Sequence, residues 1–190
     1  SLAGGMPYTT ALPLDAVGKL LSDLLATRGA AALQYGSGQG DPDLRERICE
    51  VMALEGVVGS PDDVVVTVGS QQALDLVTRI FCDPGDVVLA EAPSYVGALG
   101  TFAAYQAEVV HVTMDEHGLV PEALREAIGR VGDRAKFLYT IPNFHNPAGT
   151  SLSDARRTEV LEICAQAGLL VLEDNPYGLL GFEGPPTPAI

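Results

Sequence analysis

From residue 60 onward, short apolar runs alternate with longer stretches whose apolar residues recur every three or four positions. The runs at 64–68, 87–90, 108–112, 136–141 and 169–172 are too short for helices and predict strands. Helices are predicted between them: from Gly69 to about Cys82, from Pro93-Ser94-Tyr95 to about Tyr105, over 121–131, and from a Ser153 cap to Ala167. Strands joined by helices of this length imply right-handed crossovers, and so an α/β fold with a mostly parallel sheet and flanking helices. The run at 169–172 is uniformly apolar, as in a strand buried on both faces. It leads directly into Glu173-Asp174-Asn175-Pro176-Tyr177.

The first 60 residues have a different pattern. Gly4-Gly5, Pro7 and Pro13 mark an extended arm, and Leu14, Val17, Leu20, Leu21, Leu24 and Leu25 predict a helix over 14–27. Residues 34–40 form a glycine-rich loop, either a plain connection or a phosphate cradle, and Asp41-Pro42 is a good cap and first turn for a helix reaching about Glu55. A division follows, with an arm and helix over 1–34 and a main domain over 35–190. Residues 184–190 read as loop material, either a domain edge or part of a longer protein.

Charge narrows the function classes. Twenty-five acids against 11 bases give a net charge of −14, which argues against a nucleic-acid surface and reads as solubility. No apolar run approaches the roughly 20 residues needed to cross a bilayer. The start has no signal-peptide pattern. Cys49, Cys82 and Cys164 are odd in number and widely spaced, which fits reduced, buried thiols in a cytoplasmic protein. His111 and His117 belong to no metal constellation, and His145 reads either as a satisfied loop residue or as a contributor to substrate choice.

Polar residues gather after the strands. In open α/β sheets ligands bind outside the carboxyl ends of the strands. Gly69-Ser70-Gln71 opens a helix and offers an anion its free N–H groups, although such a turn can hold these residues for geometry alone. Tyr95 is either a flat surface at the crevice or a core residue. The loop 143–149 supplies Asn143, His145 and Asn146, and the last strand ends in Asp174 and Tyr177. A carboxylate at a buried strand end is costly unless a cation meets it. Together these groups suit a planar, phosphorylated ligand with a cationic ring nitrogen, which describes pyridoxal 5′-phosphate (PLP).

The same segments, in order, resemble those of class I and II aminotransferases of PLP fold type I. They are Gln34-Tyr35-Gly36 with Leu44-Arg45-Glu46, Gly69-Ser70-Gln71-Gln72, Pro93-Ser94-Tyr95, Asn143 through Gly149, and Glu173-Asp174-Asn175-Pro176-Tyr177. The two ends of the chain look most like the 2-aminoadipate and multi-substrate branch. The resemblance implies an enzyme moving an amino group between an amino acid and a 2-oxo acid. It implies that Gly69, Ser70 and Gln71 hold the cofactor phosphate and that Tyr95 stacks on the ring. Asn146 and Tyr177 would bond the ring oxygen, and Asp174 the ring nitrogen. Gly4, Gly5 and Asn146 would line the substrate pocket. Tyr35 would reach the cofactor of a neighbouring subunit, which implies a homodimer.

The family also needs a lysine that bonds the cofactor aldehyde. Only Lys19 and Lys136 are present, and neither matches that position. The expectation is therefore the N-terminal part of a longer enzyme, with the large domain incomplete and the catalytic lysine absent from this chain. Other readings are a β-elimination lyase of the same fold, the effector domain of a transcription regulator, and a lysine-less binding homologue.

Overall fold

The computed structural model describes residues 5–182, 184 and 187–190. The chain divides into two compact units, Ser1–Asp41 and Pro42–Ile190. In the first, a 3-10 turn precedes helix α1 (Leu14–Ala32), which bends at Arg28. The Arg28 guanidinium pairs with Asp41 at 3.2 Å. The apolar residues that predicted α1 are exposed along its length.

The second unit begins with α2 (Pro42–Met52) and a 3-10 turn to Glu55, four residues before Gly59. Ser60 and Asp63 cap each other's backbone at a further 3-10 turn, Pro61–Asp63. Then follow α3 (Gly69–Phe81), β1 (Val87–Ala92), α4 (Val96–Ala104), β2 (Glu108–Asp115) and β3 (Gly118–Leu119). The chain continues through α5 (Pro121–Val131), β4 (Ala135–Thr140), α6 (Asp154–Gln166) and β5 (Leu170–Glu173). The sheet order is β3-β2-β1-β4-β5, parallel except for the short β2–β3 pair.

Alternation along the strands divides the core in two. Val87, Leu89, Val110, Val112 and Leu138 face Leu124 of α5 and Val160 and Ile163 of α6. Val88, Ala90, Phe137 and Tyr139 face Leu74 of α3 and Ala98 and Phe102 of α4. Each fully buried Leu, Val or Phe contributes on the order of 1.5–3 kcal/mol, so both layers are needed to hold the sheet. The predicted α/β class, parallel order and flanking helices are all present.

Three local expectations need correction. Residues 64–68 form no strand: the segment is partly extended, and no described strand lies beside it. Its end is tied locally instead, with the Val68 N–H donating to Gln72 Oε1 and the Thr67 hydroxyl to the Gly69 carbonyl. β5 is an edge strand, covered on one side by β4, and Leu170 is half exposed rather than buried. Ser153 stands at the start of α6, but its side chain makes no capping bond.

Candidate functional site

β1, β4 and β5 run parallel, so their following residues emerge at one edge of the sheet. The residue placed most definitely there is Asp174. Its N–H continues the β4–β5 ladder by donating to the Thr140 carbonyl at 2.9 Å. Its Oδ2 accepts a 2.7 Å hydrogen bond from the Tyr139 hydroxyl. Tyr139 is fully buried on β4, its ring edge-on to Phe102 at 5.5 Å. Burial, and then the adjacent carboxylate, push its phenol well above the ordinary range, so it remains a donor. Sequence reasoning missed Tyr139 because a tyrosine in an apolar strand looks like core.

The preceding carboxylate has a different role. Glu173 is turned back into the protein, where its Oε2 accepts the Ile190 N–H at 3.0 Å. Its Oε1 is buried without a partner, and burial raises the carboxyl's pKa.

The loop after β4 is anchored from below. Glu91, at the fifth position of β1, accepts the Thr140 hydroxyl on Oε1 and the Ile141 N–H on Oε2, both at 2.8 Å. His145 Nε2 lies 3.0 Å from Glu91 Oε2, although the pair is not aligned as a hydrogen bond. On its other side His145 Nδ1 accepts the Ala148 N–H at 3.3 Å, which assigns the ring proton to Nε2, facing the carboxylate. His145 is thus a buried loop residue, hydrogen-bonded through Nδ1 and facing a carboxylate through Nε2. Glu91, its partner, carries no sequence signal beyond being an acid in a strand.

Amides join this loop to the next. Asn143 donates to Asn175 Oδ1 at 3.1 Å, and Asn175 donates to Glu55 Oε1 at 2.7 Å. Arg157, nearly buried on α6, donates to Asn143 Oδ1 at 2.6 Å and to the carbonyls of Leu152, Pro142 and Pro188. Glu55 Oε1 sits where a Cβ on residue 178 would fall, so Gly178 is required for that approach. The loops that carry Asn146 and Tyr177 are therefore held by one connected network.

The start of α3 is open. Gly69 has φ 74°, and no heavy atom lies within 4 Å of the position a Cβ would take. Ser70 and Gln71 follow it on the exposed first turn. Gln71 Nε2 turns to α4, donating to the Thr101 hydroxyl and the Gly97 carbonyl. The Tyr95 ring lies directly on Gly97, in the space a side chain there would need. Gln71 and Gly97 also line a cleft of about 590 Å³ between α3 and α4, with Asp75 at its side.

The sequence-predicted residues are thus placed unevenly. Gln71 and Tyr95 both approach Gly97 of α4, and Asp174 meets Tyr139 at the strand ends. Asn146 and Tyr177 are half-buried in their loops, and among the described residues neither side chain bonds another candidate. Tyr35 and Gly5 are exposed in the N-terminal unit, and Gly4 lies outside the described residues. Lys136 pairs with Asp86 at 3.3 Å at the opposite, N-terminal edge of the sheet. No group of three His, Cys, Asp or Glu among the described residues could hold a metal, and none of their helices is long and apolar enough to cross a membrane.

Residues 3–190 match the family model of aminotransferase class I and II. The chain is 39% identical to an aromatic-amino-acid aminotransferase of Thermococcus litoralis, over 100% of its own length and 46% of that protein. A kynurenine aminotransferase of Pyrococcus horikoshii, solved with PMP, superposes with TM-score 0.89 at 36% identity, over 96% of this chain and 46% of the other. The α-aminoadipate aminotransferase LysN of Thermus thermophilus, solved with N-(5′-phosphopyridoxyl)-L-leucine, superposes with TM-score 0.88 at 37% identity, over 97% and 46%. The chain spans less than half the length of these relatives. On its sequence match and its fold, the chain belongs to the class I and II aminotransferases.

Proposed function

We propose that the complete protein containing this chain moves an amino group between an amino acid and a 2-oxo acid through pyridoxal 5′-phosphate. One observation carries the reading: a carboxylate, Asp174, stands at the end of a parallel strand with one oxygen already tied by a buried phenol. The residues present fit the group. The open backbone at Gly69 suits a phosphate, and Asp174 suits a protonated ring nitrogen.

In this proposal the first turn of α3, with Ser70 and Gln71, holds the phosphate, and Gln71 exchanges its present partners on α4 for it. Tyr95 covers one face of the ring. Asn146 and Tyr177 donate to the ring oxygen from loops stiffened by the Asn143–Asn175–Glu55 hydrogen bonds. Asp174 holds the proton on the ring nitrogen. The bound cofactor supplies an electron-withdrawing ring that stabilises negative charge at a substrate carbon. Gly4, Gly5 and Asn146 bound the substrate side, and Tyr35 reaches the cofactor phosphate of a second subunit in a homodimer. The lysine that bonds the cofactor aldehyde belongs to the rest of the protein, since Lys136 stands at the far edge of the sheet and Lys19 is on α1.

The test is formation of a 2-oxo acid from an amino donor by the complete protein, with and without added cofactor. Asp174→Asn should lower turnover by roughly 100- to 1,000-fold, the scale of losing one preorganised electrostatic group. Undiminished turnover in that variant would remove Asp174 from the reaction.

A further inference from the structure

The geometry points to Tyr139 as the positioning residue for Asp174: its hydroxyl fixes Oδ2 and leaves Oδ1 as the oxygen that meets the cofactor's ring nitrogen. This inference rests on the proposed role of Asp174 and adds a residue to it.

Register brings the two together. Tyr139 pairs with Leu172 in the β4–β5 ladder, and Leu172 packs on the Tyr139 side of the sheet. Two residues later the period of two returns the chain to that face, and Asp174 meets the hydroxyl. A one-residue slip would send the carboxylate to the other face. Among the described residues no side chain donates to Oδ1, so the tyrosine uses one oxygen and spares the other.

Core packing does not account for the hydroxyl. Phe137 lies two residues earlier on the same face and packs edge-on to the same Phe102, at 5.7 Å and 71°. Tyr139 repeats that contact at 5.5 Å and 73°. Phe137 fills its place without a polar atom, whereas the ring nearer the site edge carries an oxygen directed at Asp174. Because the ring is fully buried and wedged against Phe102, the donor has a fixed position and holds the carboxylate plane with it.

Tyr139→Phe in the complete protein tests this, with pyridoxamine 5′-phosphate as the probe. The apo variant should melt within a few degrees of wild type, since only one hydroxyl is removed from an unchanged ring. Its affinity for the probe should fall about tenfold, the loss expected for a hydrogen bond to a charged group. The kcat should fall with the KM for the amino donor unchanged. In the Asp174→Asn background the same substitution should cost no further affinity, because the two act through one contact. Wild-type affinity and kcat in Tyr139→Phe, beside a loss in Asp174→Asn, would show that Tyr139 only fills the core, and additive losses would likewise overturn its role. An Asp174→Asn protein that binds the probe as well as wild type would refute the underlying reading, and the positioning role with it.

Discussion

Glu91 and His145 face each other inside the protein, with Nε2 3.0 Å from Oε2 and neither side chain more than 1% exposed. The carboxylate also receives the Thr140 hydroxyl and the Ile141 N–H. Removing it strands these two donors where water does not reach and leaves His145 Nε2 without its facing charge. Glu91→Ala should therefore destabilise the fold by about 3–5 kcal/mol in denaturant titration. Glu108→Ala, which breaks an exposed pair with Arg134, should cost no more than about 1 kcal/mol. Equal effects would mean that Glu91 does not anchor the loop.

Acid stability should depend on a second pair. Arg156 holds both oxygens of Asp115 and also donates to the Gly118 and Leu119 carbonyls, closing the β2–β3 turn onto α6. The guanidinium's hydrogen bond, with help from the His117 N–H, lowers the Asp115 pKa to about 2. A folded pKa below the unfolded value gives stability that is complete above pH 4 and lost as pH falls through about 2. Melting temperatures of wild type and Asp115→Asn should accordingly differ at pH 5–7 and converge between pH 4 and 2. A gap that holds constant to pH 2 would contradict this.

The thiols should react in two classes. Burial pushes the Cys164 thiol up to about 11, and burial likewise raises that of Cys82. Both are buried, whereas Cys49 on α2 is partly exposed. Iodoacetamide at pH 8 should label Cys49 in the native protein, and Cys82 and Cys164 only after denaturation. Mass-spectrometric detection of rapid native labelling at Cys164 would show that α6 is not packed as described.

Much of the fold was legible because both periods were clean. All six helices start within about three residues of their predicted positions, and β1, β2, β4 and β5 coincide with four of the five expected runs. The run at 64–68 has strand composition, but a strand also needs a neighbour, and neighbours are set by the whole topology rather than by local pattern. Leu170 misled for the same reason, since an apolar run does not reveal an edge. At the site, residues after strand ends could be read from position alone, as with Asp174. Tyr139, Glu91 and Arg157 could not, because each lies inside an element and gains its role from a contact at least 14 residues away.

In the proposed reaction Asp174 holds the proton on a bound pyridine ring. Pyridoxal 5′-phosphate labelled with 15N at the ring nitrogen, bound to the complete protein at pH 7.5, reports that proton directly through its NMR shift. The nitrogen should be protonated in wild type and unprotonated in Asp174→Asn, with cofactor bound in both samples. The same protonated shift in both would contradict it.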